Sequence, residues 1–114
     1  MLRVCLKSKL HNVTITAASV EYVGSVTIDR DLMEMADIWD GEQVLIASSS
    51  SGERLTTYAI PGEPGSRKIE MNGAAALKIG KGEKVIIMAF GMSDQPVKAK
   101  VLFFDSSNHV IGTK

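Results

Sequence analysis

Gly24 and Ser25 are the residues of this chain whose types and order could do chemistry on the chain itself. A serine hydroxyl can attack the carbonyl of the residue before it only when the backbone is held in a distorted turn. Glycine tolerates such turns best because it has no Cβ. The pair is therefore competent for self-cleavage, although Gly-Ser is also common in ordinary turns.

Three further segments accompany this pair in a fixed order. They are Leu6–His11 (LKSKLH), Gly52–Ile60 (GERLTTYAI) and Met71–Ala76 (MNGAAA). With these segments at these separations, the chain resembles the pyruvoyl-dependent aspartate 1-decarboxylases from about Met1 to about Phe90. Four motifs in register are jointly specific, although each is weak alone.

The resemblance implies a cofactor that is made from the chain. Decarboxylation of an α-amino acid leaves an electron pair on Cα that no ordinary side chain can delocalise, so an electron sink is required. In the family pattern, Ser25 Oγ attacks the Gly24 carbonyl, and elimination and hydrolysis of the resulting ester leave a pyruvoyl group at residue 25. One domain, 1–114, is thereby divided into a β chain, 1–24, and an α chain, 25–114. L-aspartate then forms a Schiff base with the pyruvoyl group and is released as β-alanine.

The substrate implied by the resemblance carries two carboxylates, so its site needs cations. Arg54 suits this role because its planar guanidinium can hold a carboxylate through two hydrogen bonds, and Lys9 is the second cation. Which cation meets which carboxylate stays open, and without the resemblance both are ordinary solvated charges. Tyr58 shares a strand face with Arg54, about 13 Å along an extended strand. By resemblance Tyr58 is the proton donor, and a core tyrosine is the alternative.

Thr57 raises a geometrical question. It points to the opposite face from Tyr58 if the strand is regular. The resemblance nevertheless gives Thr57 a role in substrate binding and at the Gly24 carbonyl during self-processing. A bulge or a second subunit would have to reconcile the two.

Other binding residues are implied near a predicted helix start. Free N–H groups there can bind an anion, and a tightly packed turn is the alternative reading. For His11, a hydrogen-bonded core histidine is the alternative. The residues in question are Asn72, Gly73, Ala74 and Ala75 at the helix start, and His11 and Tyr22, which match positions that line the family's pocket.

Short β-rich segments, punctuated by Gly, Ser, Asn or Pro, make up most of the chain and favour a small barrel. The resemblance makes this a double-psi β-barrel, so the predicted fold class is mainly β with one or two short helices. A helix is predicted near Arg30–Asp37 with Asp29 as its cap, and a second near Ala74–Lys78. Strands are predicted near Arg3–Lys7, Asn12–Ala17, Tyr22–Thr27, Gln43–Ser48, Arg54–Ile60, Lys68–Met71, Lys84–Phe90 and Val97–Phe104. The end of the chain is either a last strand at Asn108–Ile111 or a loosely ordered tail after Asp105.

Composition limits the function classes. A length of 114 residues indicates one domain. In a domain this small, we expect that a neighbouring subunit can complete an active-site cleft. Thirteen basic and thirteen acidic side chains give a net charge of zero, so neither nucleic acid nor a membrane is a favoured partner. Cys5 is the single cysteine and the start lacks a signal-like apolar run, which favours the cytoplasm. Neither Cys5 nor His109 has partners at ligand spacing, so no metal is expected.

The resemblance also implies a homotetramer with active sites at subunit interfaces, a role in pantothenate biosynthesis, and a possible helper protein for maturation. Family members often carry Arg where this chain has Pro64 and a basic residue or His where it has Leu77, and the similarity fades after Gly91. Two alternatives stay open. One is a non-enzymatic barrel that serves as a binding or regulator module. The other is a decarboxylase of another amino acid, such as glutamate or arginine, of which the two cations favour a diacid.

Overall fold

The computed structural model describes all residues, Met1–Lys114, and the fold is mainly β, as predicted. Nine strands, one α-helix and one 3₁₀ helix follow each other along the chain. They are β1 (Arg3–Thr14), β2 (Ala17–Ser19), β3 (Ser25–Asp29), α1 (Arg30–Ala36), β4 (Gln43–Ser48), β5 (Arg54–Gly62), β6 (Ile69–Asn72), the 3₁₀ helix (Gly73–Leu77), β7 (Lys84–Ser93), β8 (Lys100–Phe104) and β9 (Val110–Thr113).

The strands are hydrogen-bonded in the order β2-β6-β3-β5-β4-β7-β1-β8-β9. The pairs β2 with β6, β3 with β5 and β1 with β8 are parallel, and the others are antiparallel. One apolar core of 20 buried residues contains side chains from almost every strand, among them Leu10, Val26, Ile46 and Ile87. Strands that surround a single core in this way are consistent with a small β-barrel.

β1 differs from the prediction, because one strand of 12 residues replaces the two that were expected. Its pairing with β7 shifts register between Leu6 and Ser8 and again between His11 and Val13. Asn12, inside the second shift, has a left-handed φ of 66°. Such bulges insert an extra residue without ending a strand. They also set which side chains of β1 face the core.

The helical predictions hold with one change of type. Asp29 caps α1 by accepting a hydrogen bond from Asp31 N at 2.8 Å. Its carboxylate also accepts from Gly65 N at 3.1 Å and Arg67 N at 2.7 Å, which ties the loop after β5 to the start of α1. The second predicted helix is a 3₁₀ helix at Gly73–Leu77. None of the helices is long and apolar enough to cross a membrane.

The end of the chain is a strand rather than a loosely ordered tail. β9 pairs with β8, and Asn108 just before it is 1% exposed. The Asn108 side chain accepts from Thr14 N at 2.7 Å and donates to Thr14 O at 2.9 Å and Arg67 O at 3.1 Å. Polar groups this well satisfied fix the turn before β9 against the barrel.

Candidate active site

Ser25 opens β3 and lies opposite Asn72 of β6. Its side chain is fixed on both sides: Asn72 Nδ2 donates to Ser25 Oγ at 2.9 Å, and Ser25 Oγ donates to Val23 O at 3.4 Å. Asn72 Nδ2 also donates to Thr27 Oγ1 at 2.9 Å. Ser25 is only 2% exposed. The hydroxyl is therefore held in a nearly dry setting next to the Gly24 peptide.

A cavity of about 370 Å³ adjoins this serine, a size typical of small-molecule sites. Four residues that the sequence predicted line it together, namely Ser25, Tyr58, Asn72 and Tyr22. The full lining is Ala17, Ala18, Ser19, Tyr22, Val23, Ser25, Thr27, Tyr58, Ile60, Glu70, Met71 and Asn72. We call this space the serine cavity.

The sequence reasoning missed Thr27 and Glu70. Both follow from strand alternation, because Thr27 lies two residues after Ser25 on β3 and Glu70 lies two residues before Asn72 on β6. The ladder places Thr27 directly opposite Glu70. The spacing was visible in the sequence, but the pairing of β3 with β6 was not.

Thr57 lies on the opposite face of β5 from Tyr58, as the alternation predicted. The pairing of β5 with β4 is regular from Arg54 to Tyr58, so β5 has no bulge there. A second cavity of about 320 Å³ lies on this other side and is lined by Gly24, Leu55, Thr56, Thr57, Ala74, Ala75 and Lys78. Thr57 and Gly24 therefore border one space within one chain, without the bulge or second subunit that the sequence reasoning invoked.

Gly73 makes the closest backbone approach at the site. Its φ is +69°, and a Cβ on it would lie 2.7 Å from Gly24 Cα and 2.8 Å from Tyr22 O. Gly24 itself is outside the left-handed region, and a Cβ there would meet only Asn72 O at 4.0 Å. The distorted turn expected at Gly24 is thus not visible in its φ. The glycine whose missing side chain matters for packing here is Gly73.

The predicted anion-binding group is only partly brought together. The 3₁₀ helix after Asn72 has five residues, and the Asn72 side chain makes no capping hydrogen bond, because it serves Ser25 and Thr27 instead. Ala74 and Ala75 line the second cavity rather than the serine cavity. Substrate binding by Gly73, Ala74 and Ala75 stays a prediction.

Lys9, His11 and Arg54 do not line the serine cavity. They lie on the outer face of the sheet, in two cross-strand rows that span β1, β7, β4 and β5. One row is His11, Ile86, Ala47 and Arg54, and the other is Lys9, Met88, Leu45 and Thr56. Three strand spacings separate β1 from β5, about 14 Å. Lys9 of the same chain is therefore well removed from Ser25, which lies one strand further still on β3.

This surface combines apolar side chains with unpaired polar groups. We call it the cation face and define it by the two rows above. Neither Lys9 nor Arg54 forms an ion pair. His11 Nδ1 is buried without a hydrogen-bond partner, and its ring meets Phe103 edge-on at 5.5 Å.

Glu83 fixes one edge of the cation face. Its carboxylate accepts hydrogen bonds from Gly80 N at 2.6 Å and from Ser48 Oγ at 2.7 Å. These bonds, with a smaller contribution from Ser51, hold the pKa of Glu83 below its ordinary value. They join the end of β4 to the turn before β7.

The structure contains no group of three or more His, Cys, Asp or Glu residues that could hold a metal ion.

Comparison with known proteins covers the whole chain. Residues 1–111 match the family model described as aspartate decarboxylase. An aspartate 1-decarboxylase of Thermotoga sp. (strain RQ2) is 46% identical over 114 residues, 100% of both chains. One of Mycolicibacterium smegmatis is 50% identical over 115 residues, 97% of this chain and 85% of the relative. One of Moorella thermoacetica is 45% identical over 118 residues, 100% of this chain and 92% of the relative.

Proposed function

The chain belongs to the aspartate decarboxylase family, and we propose that it decarboxylates L-aspartate to β-alanine with a pyruvoyl group made from its own Ser25. One observation carries the proposal. Ser25 follows Gly24, is almost fully buried, and has its hydroxyl fixed by Asn72 beside a cavity that Tyr58 lines. The names of the three relatives favour an enzyme over a binding or regulator module.

The surroundings of Ser25 fit a pyruvoyl group at this position. Asn72 Nδ2 is an N–H donor, which can serve a carbonyl oxygen as well as a hydroxyl. The group supplies the electron sink that the side chains lack. Cleavage after Gly24 leaves the two pieces in one domain, because β1 and β2 of the short piece pair with β7, β8 and β6 of the long one.

The roles of the side chains follow from the charges of the substrate. Arg54 and Lys9, the two cations that share the cation face, bind its two carboxylates. Tyr58 carries the one phenol near Ser25 other than the well-exposed Tyr22, and its O–H donates a proton to Cα after carbon dioxide leaves. Thr57 acts from the opposite side, at the Gly24 carbonyl during cleavage.

Lys9 and the serine cavity meet only if a second copy supplies one of them. Lys9 lies four strands from Ser25 in its own chain, about 19 Å along the sheet. A lysine side chain is too short for that span. We therefore propose a homotetramer in which the cation face of one copy closes the serine cavity of another. His11, whose Nδ1 is buried and unpaired, then lies in the contact between the two copies.

The proposal extends to the cellular setting. The enzyme works in the cytoplasm and supplies β-alanine for pantothenate biosynthesis. A single cysteine, Cys5, with no possible internal disulfide supports that location. Self-cleavage proceeds either unaided or with a helper protein for maturation.

Product analysis tests this function directly. Purified protein is incubated with L-aspartate or L-glutamate, and the amine products are quantified. We expect β-alanine from L-aspartate and much slower turnover of L-glutamate. Arg54→Ala should lower kcat/KM for L-aspartate at least about 100-fold, because two charge-assisted hydrogen bonds of about 1.5–3 kcal/mol each are lost.

Arg30→Ala is the matched control, since Arg30 is an exposed arginine at the start of α1 and lies outside the serine cavity. It should leave kcat/KM unchanged. Absence of β-alanine, or faster turnover of L-glutamate, would contradict the proposed function.

A further inference from the structure

Glu70 is a carboxylate that the roles assigned so far do not use. Along β6, Ile69 and Met71 are fully buried in the core, so Glu70 and Asn72 point to the opposite face. In the ladder, Asn72 faces Ser25 and Glu70 faces Thr27. Glu70 therefore stands one row from Ser25, on the same face, and lines the serine cavity.

The charge of Glu70 stands alone in that cavity. Among the residues that line the serine cavity, Glu70 is the only one with a charged side chain. It is half-buried, and its carboxylate takes part in no hydrogen bond or ion pair. Lys68, two residues earlier, makes no ion pair with it either.

Asp29, two residues beyond Thr27 on β3, shows the contrast. Its carboxylate accepts hydrogen bonds from three backbone N–H groups, of Asp31, Gly65 and Arg67. That carboxylate serves the fold. The Glu70 carboxylate has no such backbone partners and is free to meet a cation that enters the cavity. Glu70 is therefore the unmatched anion of the serine cavity.

Aspartate carries the cation that this anion lacks. Arg54 and Lys9 account for its two carboxylates, while no side chain has been assigned to its α-ammonium group. Resting on the proposed function, we propose that Glu70 binds the α-ammonium of L-aspartate and takes the proton that the nitrogen must lose before it can act as a nucleophile. The N–H bond breaks, its electron pair stays on nitrogen, and the proton goes to a Glu70 carboxylate oxygen.

This role makes Glu70 a determinant of specificity as well. A carboxylate attracts the ammonium of an amino diacid but repels a diacid without an amine. Succinate has the two carboxylates of aspartate and no amine. Glu70 should therefore favour binding of aspartate and disfavour binding of succinate.

The test compares processed wild-type protein with Glu70→Gln, which keeps the shape of the side chain. Glu63→Gln is the matched control, because Glu63 is exposed in the loop after β5 and lies outside the serine cavity. Three quantities are measured for each protein: KM for L-aspartate, and by calorimetry the dissociation constants of β-alanine and of succinate.

In Glu70→Gln we expect KM for L-aspartate and the dissociation constant of β-alanine to rise about tenfold, the effect of losing one charge-assisted hydrogen bond. The dissociation constant of succinate should stay the same or fall. Unchanged values for the two amines, or a parallel weakening of succinate, would overturn the role of Glu70. A wild-type protein that stays uncleaved and makes no β-alanine would instead overturn the proposed function.

Discussion

The serine cavity and the cation face belong to the same sheet. The polar groups around Ser25 in the serine cavity are hydrogen-bonded within one chain, whereas those of the cation face lack partners. In the serine cavity, Ser25, Thr27 and Asn72 share two hydrogen bonds of 2.9 Å within one chain. On the cation face, Lys9 and Arg54 have no ion-pair partner, and His11 Nδ1 is buried and unpaired.

This difference matches a division between self-cleavage and catalysis in the proposed function. The groups that we propose for self-cleavage lie around Ser25 and are hydrogen-bonded within one chain. The cations that we propose for substrate binding lie on the cation face and do not line the serine cavity of their own chain. We therefore propose that self-cleavage, unaided or with a helper protein, uses groups of one chain, whereas catalysis requires the assembly.

The largest effects should come from two variants, one that removes a group of the serine cavity and one that removes a group of the cation face. Ser25→Ala should stay uncut and inactive, whereas Lys9→Ala should be cut but nearly inactive. Co-expression of the two should restore activity to about a quarter of the wild-type value, the share of sites that random pairing completes with both residues. The measurement is β-alanine formation by the purified mixed assembly.

A second pair of variants serves as the control for this mixing experiment. Ser25→Ala and Tyr58→Phe remove groups that line the same serine cavity in one chain. Their co-expression should restore little beyond the residual activity of Tyr58→Phe. Equal restoration of activity by both pairs, or no restoration by the first pair, would contradict the claim that the serine cavity and the cation face of one active site come from different copies.

Tyr58→Phe alone should separate maturation from turnover. The variant loses only the O–H, so Ser25 and Asn72 keep their geometry and cleavage should proceed. Turnover should fall about 10²–10⁴-fold, the usual contribution of a positioned proton donor. Chain cleavage is followed on denaturing gels and kcat by product formation. A Tyr58→Phe protein with normal kcat would require another donor.

Gly73→Ala should act on maturation through packing. A Cβ at 73 would press on Gly24 Cα at 2.7 Å and would also strain a φ of +69°. We expect cleavage to slow about tenfold or more, together with a loss of stability. Gly82→Ala shares the strain, with a φ of +90°, but its Cβ would meet nothing within 4 Å. Cleavage rates that fall equally in both variants would show that the contact with Gly24 is irrelevant.

The smallest effect should come from Glu83→Gln, at the edge of the cation face. The bonds from Gly80 N and Ser48 Oγ depress the folded pKa of Glu83 below its ordinary value of 4.5. A depressed carboxyl pKa adds stability that is present above the unfolded value and is lost as pH falls through the folded one. The variant should lose about 1 kcal/mol near pH 7 and less in acid, with normal cleavage.

Urea unfolding at neutral and acidic pH measures this difference. Glu53→Gln is the control, because the Glu53 carboxylate meets only Lys78, at 3.7 Å on the surface. It should change stability little at either pH. A Glu83→Gln protein as stable as wild type at neutral pH would exclude the proposed contribution.

Part of the candidate site was predictable from the sequence, since Ser25, Tyr58, Asn72 and Tyr22 line one cavity. Alternation along β5 correctly placed Tyr58 and Thr57 on opposite faces. It could not show that a cavity lies on each side, because that depends on how β3 and the 3₁₀ helix pack. Gly73 approaches Gly24 although the two residues are far apart in sequence, so no local sequence pattern predicts this contact.

The fold was predictable to the level of its class. Strand propensity identified most strands, but β1 was divided in two, because its bulges at Lys7 and Asn12 look like strand ends in the sequence. Those bulges decide that Lys9 and His11 face outward. The position of Glu70 in the serine cavity was missed for a related reason, since a glutamate on a strand is ordinary until its neighbours across the ladder are known.

The mass of the intact wild-type protein under denaturing conditions tests the central claim most directly. The account predicts two species divided at Gly24 and Ser25, with the larger about 17 Da lighter than a chain that begins with serine, because a ketone has replaced the amine and hydroxyl of that residue. A single uncut species of 12.3 kDa that persists after prolonged warm incubation, and also after incubation with a lysate that supplies a helper protein, would contradict self-cleavage by this chain.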